Sequence, residues 1–366
     1  MNLNDLIPPE AMELQDRNAR YREIIFHSTT ATRGDLERIK KELNLAPTPK
    51  EVIHEECSLR LYRYTPVRKK LHGTPLLIVP SLILRYHILD LLKGHSLIEH
   101  LVSRGIDTYL LDWGIPGDEH GALTLDYYID TFLRRAARKV ARFTGREKIS
   151  LLGQCLGGTF AAVFTSLYPE KIERLICLTT PVDFHDAGLL SLWTSKENFN
   201  IDNVVESFGN VIPPEFIHGC FQFLDVKATV ERYKKLYHNV LDENFLFYYR
   251  AMDQWINDKI PFPAQVFRRF IRDLYQENLL AQGRLLINGR AANPGAITCP
   301  VQVITAAKDH VFPEKAAQAL TKLVSGPVEY HKIDAGHVTL VALFPQREET
   351  YGHITTFLGN GVLRVG

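Results

Sequence analysis

The most informative segment of the chain reads Ile149-Ser150-Leu151-Leu152-Gly153-Gln154-Cys155-Leu156-Gly157-Gly158-Thr159-Phe160-Ala161-Ala162. Its apolar first half predicts a buried strand, and the small residues after the glycines predict a helix. The Gly-x-Cys-x-Gly between them predicts a sharp strand-to-helix turn with Cys155 at its tip. Gly153 and Gly157 leave no Cβ atom where the strand and the helix crowd this turn. The alternative is a cysteine that only packs inside a glycine-rich turn.

A cysteine at such a turn has the surroundings of a nucleophile. The N-terminus of the predicted helix lies beside Cys155, which lowers the pKa of a thiol and offers backbone N–H groups to an oxyanion. We expect the N–H of Leu156 to be the first oxyanion donor. The second is expected in the loop after the predicted strand at 76–79, from Leu82 or Ile83, and Ile83 is taken as the candidate.

An acid and a histidine follow in the chain order that is typical of this turn, which is nucleophile, acid, histidine. Asp309 comes directly after the apolar run 301–305, and His337 follows the last predicted strand. Both are expected in loops at the carboxyl ends of strands. His310 adjoins the acid but is expected to point elsewhere, and His331 lies inside the last strand, where a structural role is expected.

A cysteine nucleophile favours acyl exchange with another thioester, because moving an acyl group from sulfur to sulfur is nearly thermoneutral. His337 can take the thiol proton. Asp309 can orient His337 or help to deprotonate an incoming hydroxyl, and the residues leave both roles open. Water as the acceptor gives a hydrolase, and an alcohol gives an acyltransferase. A non-enzymatic scaffold has no need of all three groups.

Further short apolar runs alternate with helical stretches on both sides of this segment. Continuous runs of this kind are typical of strands that are buried on both faces. The alternation predicts an α/β fold with a mostly parallel central sheet and helices on both faces. The other predicted strands are 52–57, 59–64, 76–80, 108–113, 175–179 and 301–305.

The alternation stops in an aromatic-rich stretch, which predicts a mostly helical cap insertion over the ligand crevice. A separate helical domain without bearing on the site is the alternative. The predicted divisions are a helical N-terminal segment at 1–50, a first core part at 51–182, the cap insertion at 183–296 and a second core part at 297–366.

Composition excludes several classes of function. The 366 residues include 43 Lys and Arg against 42 Asp and Glu, so nucleic-acid binding through bulk charge is not expected. No apolar run is long enough for a transmembrane segment. The five cysteines are scattered without zinc-ligand spacing, and no Gly-x-Gly-x-x-Gly follows a strand. We therefore expect neither a metal nor a bound cofactor, and a cytoplasmic protein.

Taken together, these blocks resemble the polyhydroxyalkanoate synthase family, most of all the short catalytic subunits of its class III and class IV enzymes. The resemblance covers roughly residues 50 to 350. The blocks that carry it are Tyr86-His87-Ile88-Leu89-Asp90-Leu91, Asp112-Trp113-Gly114-Ile115-Pro116, Leu123-Thr124-Leu125-Asp126-Tyr127-Tyr128-Ile129, Gly153-Gln154-Cys155-Leu156-Gly157-Gly158-Thr159, Met252-Asp253-Gln254-Trp255-Ile256-Asn257-Asp258, Leu274-Tyr275-Gln276-Glu277-Asn278-Leu279-Leu280, Asp309-His310-Val311-Phe312-Pro313 and Ala335-Gly336-His337.

The resemblance implies an α/β-hydrolase core with Cys155, Asp309 and His337 as catalytic residues. It implies polymerisation of (R)-3-hydroxyacyl-CoA, with short acyl chains expected, into a polyester with release of CoA, which is part of the substrate and not a cofactor. It also implies a cap that moves to admit substrate, a homo-oligomer, a second small synthase subunit and association with polymer granules. A thioester or ester hydrolase, or a non-polymerising acyltransferase of the same fold, is the alternative.

Overall fold

The computed structural model describes residues 9–30, 32–68 and 71–359. The first eight residues of the predicted N-terminal segment and the last seven of the second core part lie outside the described residues. The strands are β1 (Lys50–Glu56), β2 (Leu59–Tyr64), β3 (His72–Val79), β4 (Asp90–Leu92), β5 (His95–Ser96), β6 (Ile106–Asp112), β7 (Ile149–Gln154), β8 (Ile172–Leu178), β9 (Val211–Ile212), β10 (Phe262–Pro263), β11 (Leu285–Ile287), β12 (Arg290–Ala292), β13 (Val301–Ala306) and β14 (Val328–Ile333).

Helices connect these strands along the chain. They are α1 (Pro9–Thr30), α2 (Arg33–Glu42), α3 (Leu97–Ser103), α4 (Arg134–Thr144), α5 (Leu156–Leu167), α6 (Leu189–Trp193), α7 (Ile201–Phe208), α8 (Pro214–Leu224), α9 (Val226–Asn239), α10 (Glu243–Asn257), α11 (Ala264–Arg269), α12 (Glu314–Gln318), α13 (Leu320–Leu323), α14 (Thr339–Ala342) and α15 (Gln346–Gly359). A π-helical turn precedes α4 at Tyr127–Leu133, and another follows α11 at Phe270–Gln276.

One mostly parallel sheet organises the described residues, as the alternating pattern predicts. Its strand order is β1-β2-β6-β3-β7-β8-β13-β14. The pairs β1–β2 and β2–β6 are antiparallel, and every other neighbouring pair is parallel. Because the carboxyl ends of parallel strands meet at one edge, the loops after β3, β7, β13 and β14 are brought together there.

Both faces of the sheet are covered by helices. Side chains alternate along β3, so that Leu77 and Val79 pack in one apolar layer with α4 and α5. Leu76 and Ile78 pack in the opposite layer with α3 and α15. All four side chains are fully buried, and each buried side chain of this size contributes about 1.5–3 kcal/mol to folding. This doubly covered sheet explains why the core strands read as continuous apolar runs.

Helices α6–α11 fill most of the chain between β8 and β13, as the aromatic-rich stretch predicts. Two small antiparallel ribbons, β9–β10 and β11–β12, also occur there and were not predicted. Each of their strands is only two or three residues long, which is too short to produce an alternating pattern of apolar residues.

The N-terminal helices pack against the inserted helices. Ile24 of α1 lies in a small apolar cluster with Leu236 of α9 and Leu246 of α10. The side chain of Gln254 in α10 donates a hydrogen bond to the carbonyl of Leu36 in α2 at 2.7 Å. Helices α1 and α2 therefore extend the helical layer formed by α9 and α10.

Candidate active site

Cys155 lies at the tip of a strained turn between β7 and α5. Its φ of 54° and ψ of −128° are unusual for a residue with a side chain. A Cβ atom on Gly153 would lie 2.3 Å from the Cα of Gly158, and one on Gly157 would lie 2.2 Å from the carbonyl oxygen of Val79. The predicted crowding of the turn, and the need for glycine at both positions, are confirmed.

The structure brings His337 and Asp309 together. The ring Nδ1 of His337 donates to Oδ2 of Asp309 at 2.7 Å. The other carboxylate oxygen, Oδ1, accepts the backbone N–H groups of Val311 at 2.9 Å and Phe312 at 2.8 Å. Two amides from its own loop therefore hold the carboxylate, and the carboxylate fixes the orientation of the imidazole and leaves Nε2 available.

Charge surrounding His337 favours its protonated form. Burial alone lowers the pKa of the ring, but the Asp309 carboxylate and the neighbouring Cys155 outweigh burial and raise the pKa of His337 well above its usual value. Both His337 and Cys155 are only 7% exposed. The Asp309 carboxylate therefore favours a proton on the His337 ring within a site that is largely shielded from water.

The two candidate oxyanion donors differ in their surroundings. Leu156 is the first residue of α5, so its N–H has no acceptor within the helix. Ile83 lines the same cavity as Cys155, and its N–H donates to Oγ of Ser81 at 3.3 Å. Leu82 is buried and is not part of the cavity wall. Of the two alternatives in this loop, Ile83 is the one that shares the cavity wall with Cys155, and its role stays a prediction.

Hydrogen bonds from both the core and the inserted helices hold the loop that carries Ile83. The indole N–H of Trp113 donates to the carbonyl of Pro80 at 2.9 Å. The guanidinium of Arg85 pairs with Asp112 at 3.1 Å. The backbone carbonyl of Arg85 accepts a hydrogen bond from the indole N–H of Trp255 in α10 at 2.8 Å. In the sequence, Trp113 and Trp255 appeared only as members of the blocks behind the family resemblance, and no role was predicted for either.

A cavity of about 400 Å³ opens over the thiol. Cys155, Gln154 and His337 belong to its core wall, and the opposite wall is mostly apolar and comes from α8, α9, α10 and the loop after α10. The inserted helices thus contribute directly to the cavity. A separate helical domain without bearing on the site would not need to do so. His310 also lines this cavity as an exposed residue, so the expectation that it points elsewhere is wrong.

An aromatic cluster supports the histidine loop. The rings of Phe312 and His337 lie 5.7 Å apart between centroids, and Phe184 stacks edge-on with Phe312 at 6.5 Å and with Tyr275 at 4.9 Å. Burial, with a smaller effect of nearby Cys155, raises the pKa of Tyr275 well above its usual value. No role was predicted for Tyr275, although it lies in one of the blocks behind the family resemblance.

Metal-ligand clusters and membrane-spanning helices are both absent from the part of the chain that the structure describes. Within the described residues, no three His, Cys, Asp or Glu side chains are arranged to bind a metal ion. None of the described helices has the length and apolar character needed to cross a lipid bilayer.

Comparisons with known proteins agree with the observed fold. Residues 74–341 match the family described as alpha/beta hydrolase fold, and residues 26–101 match the family described as Poly-beta-hydroxybutyrate polymerase (PhaC) N-terminus. Among solved structures, the carboxylesterase CesB from Bacillus subtilis aligns with 89% of this chain and 97% of its own, with a TM-score of 0.51 and 15% identity. At that identity the likeness shows the fold alone.

Curated relatives are closer in sequence. The chain is 35% identical over 297 residues to the poly(3-hydroxyalkanoate) polymerase subunit PhaC of Allochromatium vinosum, covering 80% of this chain and 82% of that protein. It is 33% identical over 333 residues to the subunit of the same name from Haloferax mediterranei, covering 90% of this chain and 67% of that protein. The chain therefore belongs to the PhaC family of poly(3-hydroxyalkanoate) polymerases and has the α/β-hydrolase fold.

Proposed function

We propose that this chain is a polyhydroxyalkanoate synthase, which polymerises (R)-3-hydroxyacyl-CoA into polyester and releases CoA. Short acyl chains, such as that of 3-hydroxybutyryl-CoA, are the proposed substrates. The observation that carries the proposal is a shielded Cys155 beside an Asp309-bound His337, in a mostly apolar cavity of a PhaC-family chain. Each substrate molecule carries both a hydroxyl and a thioester, so the hydroxyl of one molecule can form an ester with the acyl group of another and release CoA.

In the first step, Nε2 of His337 takes the proton of the Cys155 thiol, and the thiolate attacks the thioester carbonyl of the substrate. The carbonyl electron pair moves onto oxygen, where the N–H groups of Leu156 and Ile83 would stabilise it. Such a donor is worth about 10²- to 10³-fold in rate. The oxyanion then collapses, the carbon–sulfur bond to CoA breaks, and the leaving thiolate takes the proton from His337. The product is an acyl thioester on Cys155.

In the second step, the hydroxyl of another 3-hydroxyacyl-CoA attacks the acyl carbonyl on Cys155. His337 accepts the hydroxyl proton and returns it to the sulfur of Cys155 as the carbon–sulfur bond breaks, so the ring ends the step unchanged. The new ester is still a CoA thioester at its other end, and it can acylate Cys155 again. A single cysteine in the cavity wall is enough for this cycle, because the acceptor carries its own thioester.

We assign to Asp309 the orientation of His337 and not the deprotonation of the incoming hydroxyl. Its side chain is only 2% exposed, and both of its oxygens are engaged, one by the ring and the other by two backbone amides. An incoming hydroxyl has little access to this carboxylate. His337, which faces the cavity, is the base that both steps share.

A hydrolase of the same fold is the second candidate, since water could replace the hydroxyl as acceptor. The mostly apolar lining of the cavity favours the hydroxyl of a bound substrate over water. The test supplies (R)-3-hydroxybutyryl-CoA and compares the CoA released with the free 3-hydroxybutyrate formed. A synthase releases CoA, forms high-mass polyester and leaves little free acid. Equal amounts of CoA and free acid, without polymer, mean a hydrolase.

We further propose residues 183–296 as a cap that moves to admit substrate, between core parts at 51–182 and 297–366. The cavity wall formed by α8–α10 supports that division. A homo-oligomer, a second small synthase subunit and a site on polymer granules in the cytoplasm belong to the same proposal. Support for a partner comes from the relatives, whose names describe PhaC as a polymerase subunit.

A further inference from the structure

The cavity wall carries more positive charge than the chain as a whole. Three cationic side chains belong to the wall, those of Arg85, Arg232 and Lys259. Among the described lining residues, Asp225 is the only one with a carboxylate. Over the full sequence, the same charges are balanced at 43 against 42. The excess of cations is therefore a local property of this cavity, and the side of it formed by the inserted helices holds two of the three.

The acid that pairs with Arg232 lies behind the wall. Nη1 of Arg232 is 3.7 Å from Oδ1 of Asp253, and Nη2 donates to the hydroxyl of Tyr233 at 3.2 Å. Asp253 is held by hydrogen bonds from Ser28 and Asn257, and it is not a lining residue. The guanidinium is thus anchored from behind while its side chain remains 32% exposed, so it reaches both the cavity and solvent.

Lys259 lines the same cavity as Arg232, and its backbone position is fixed. Its backbone pairs with that of Leu84 in an isolated β-bridge, which ties it to the loop that carries Ile83. His218 of α8 lines the cavity as well, and the positive charges there affect the pKa of its ring. Burial, together with the charges of Lys259 and Arg232, lowers the pKa of His218 to about 4. The histidine is therefore neutral at neutral pH, in a region of positive potential.

The size of the cavity decides which part of the substrate meets these cations. Its volume of about 400 Å³ lies near the lower end of the 300–1,000 Å³ range that is usual for drug-sized ligands. A CoA thioester is larger than such ligands. When its acyl group reaches Cys155, its nucleotide end has to remain at the rim, where Arg232 is partly exposed.

We propose that Arg232 and Lys259 form an anion subsite that binds the phosphate groups of the CoA moiety, while the acyl-pantetheine arm crosses the apolar cavity to Cys155. The inference rests on the proposed function, because it concerns the same substrate. Arginine binds phosphate oxygens through paired N–H groups, and lysine binds them as a point charge. The subsite selects thioesters of a phosphate-bearing carrier over short thioesters with the same acyl group.

The test compares two thioesters of (R)-3-hydroxybutyrate, one with CoA and one with N-acetylcysteamine, which carries no phosphate. The measured quantity is the ratio of kcat/KM for the two substrates. We expect Arg232→Gln and Lys259→Gln each to lower this ratio by about 10- to 100-fold, mainly through KM for the CoA thioester. Arg232→Lys should restore part of the ratio. Added salt should lower the ratio of the wild-type protein.

Lys234→Gln is the matched control, because Lys234 is an exposed cation on the same helix that pairs with Glu231 and does not line the cavity. Its ratio should equal that of the wild-type protein. An unchanged ratio in Arg232→Gln overturns the proposal, and so does an equal loss with both substrates, which would mean a structural role. Competition by inorganic phosphate as strong as that by free CoA would also overturn it, because the site would then bind any anion.

The ratio of kcat/KM tests the anion subsite, and polymer formation tests the proposed function, so either proposal can fail without the other. If the wild-type protein makes only free acid, the polymerase assignment fails, yet the ratio still reports whether the phosphate groups are recognised. If polymer forms but the ratio does not respond to Arg232→Gln, the polymerase assignment stands and the anion subsite alone is refuted.

Discussion

His337 depends on Asp309 for both its orientation and its charge. The 2.7 Å hydrogen bond fixes the ring, and the carboxylate helps to raise the pKa of His337 well above its usual value. Asp309→Asn keeps the shape of the side chain but removes its negative charge. We therefore expect kcat to fall by about 10²- to 10⁴-fold.

The same variant should change the pH profile. A carboxylate stabilises the imidazolium, so its loss lowers the pKa of His337 and the ring loses its proton at a lower pH. Above that pH the ring has no proton to give to the leaving CoA thiolate. The alkaline limb of kcat/KM should therefore move to lower pH in Asp309→Asn, as measured by CoA release across the pH range. An alkaline limb that stays in place would contradict the role given to Asp309.

Sequence alone could place Cys155, Asp309 and His337, because each of them follows a recognisable strand and the chain order of the three is fixed by the fold. It could not place the side chain of His310, since a loop residue next to the acid can face either way. Nor did it offer a physical reason for taking Ile83 over Leu82, because the direction of a backbone amide depends on how the loop is held by the core and by α10.

Among the elements, β3 and α5 meet in a tightly packed junction at the site. A Cβ atom on Gly157 would meet the carbonyl oxygens of Val79 at 2.2 Å and Pro80 at 2.3 Å, which are backbone atoms that cannot rotate away. Gly157→Ala should destabilise the protein by about 1–3 kcal/mol through overpacking and should displace the loop that carries Ile83. Denaturant unfolding and CoA release check the two effects.

Gly352→Ala provides the matched control for this change. Gly352 lies in α15, and apart from its chain neighbours and the backbone of its own helix no atom of the described residues lies within 4 Å of the position its Cβ would take. The helix should gain up to about 1 kcal/mol, because alanine has the higher helix propensity. If Gly157→Ala behaved like Gly352→Ala, the close contact of α5 with β3 would not be needed for the site.

The N-terminal helices and the inserted helices form one supporting unit. Leu236 of α9 is fully buried between Ile24 of α1 and Leu246 of α10. Leu236→Ala should cost about 2–5 kcal/mol of local stability, because it leaves a cavity in a small apolar cluster. Hydrogen exchange should then speed up in α1 and α9 while the central sheet keeps its protection.

Val230→Ala on the same helix is the control. Val230 is 45% exposed, so the change should alter stability by less than about 0.5 kcal/mol. Unaltered exchange of α1 in Leu236→Ala would mean that α1 does not depend on this cluster. The sequence predicted helical N-terminal segments from their spacing, but a helical pattern names the apolar face and not the element that covers it.

Over the whole molecule, the mostly parallel sheet and the helical stretch between two of its strands could be predicted from where apolar runs alternate with helical stretches. The positive cavity wall could not, because a net charge of +1 hides it. Arg232 and Lys259 are separated by a complete helix, and only the packing of α9 and α10 brings them to one cavity. The positive charge on the cavity wall therefore depends on how the chain folds and not on its overall composition.

The central claim is that Cys155 carries the acyl group. The measurement that tests it most directly is the mass of the protein after brief exposure to (R)-3-hydroxybutyryl-CoA and acid quenching, followed by proteolysis. We predict hydroxybutyryl units on the peptide that contains Cys155, and none in Cys155→Ala, whose fold is checked by circular dichroism. Acylation of another residue, or equal acylation of Cys155→Ala, would contradict the account.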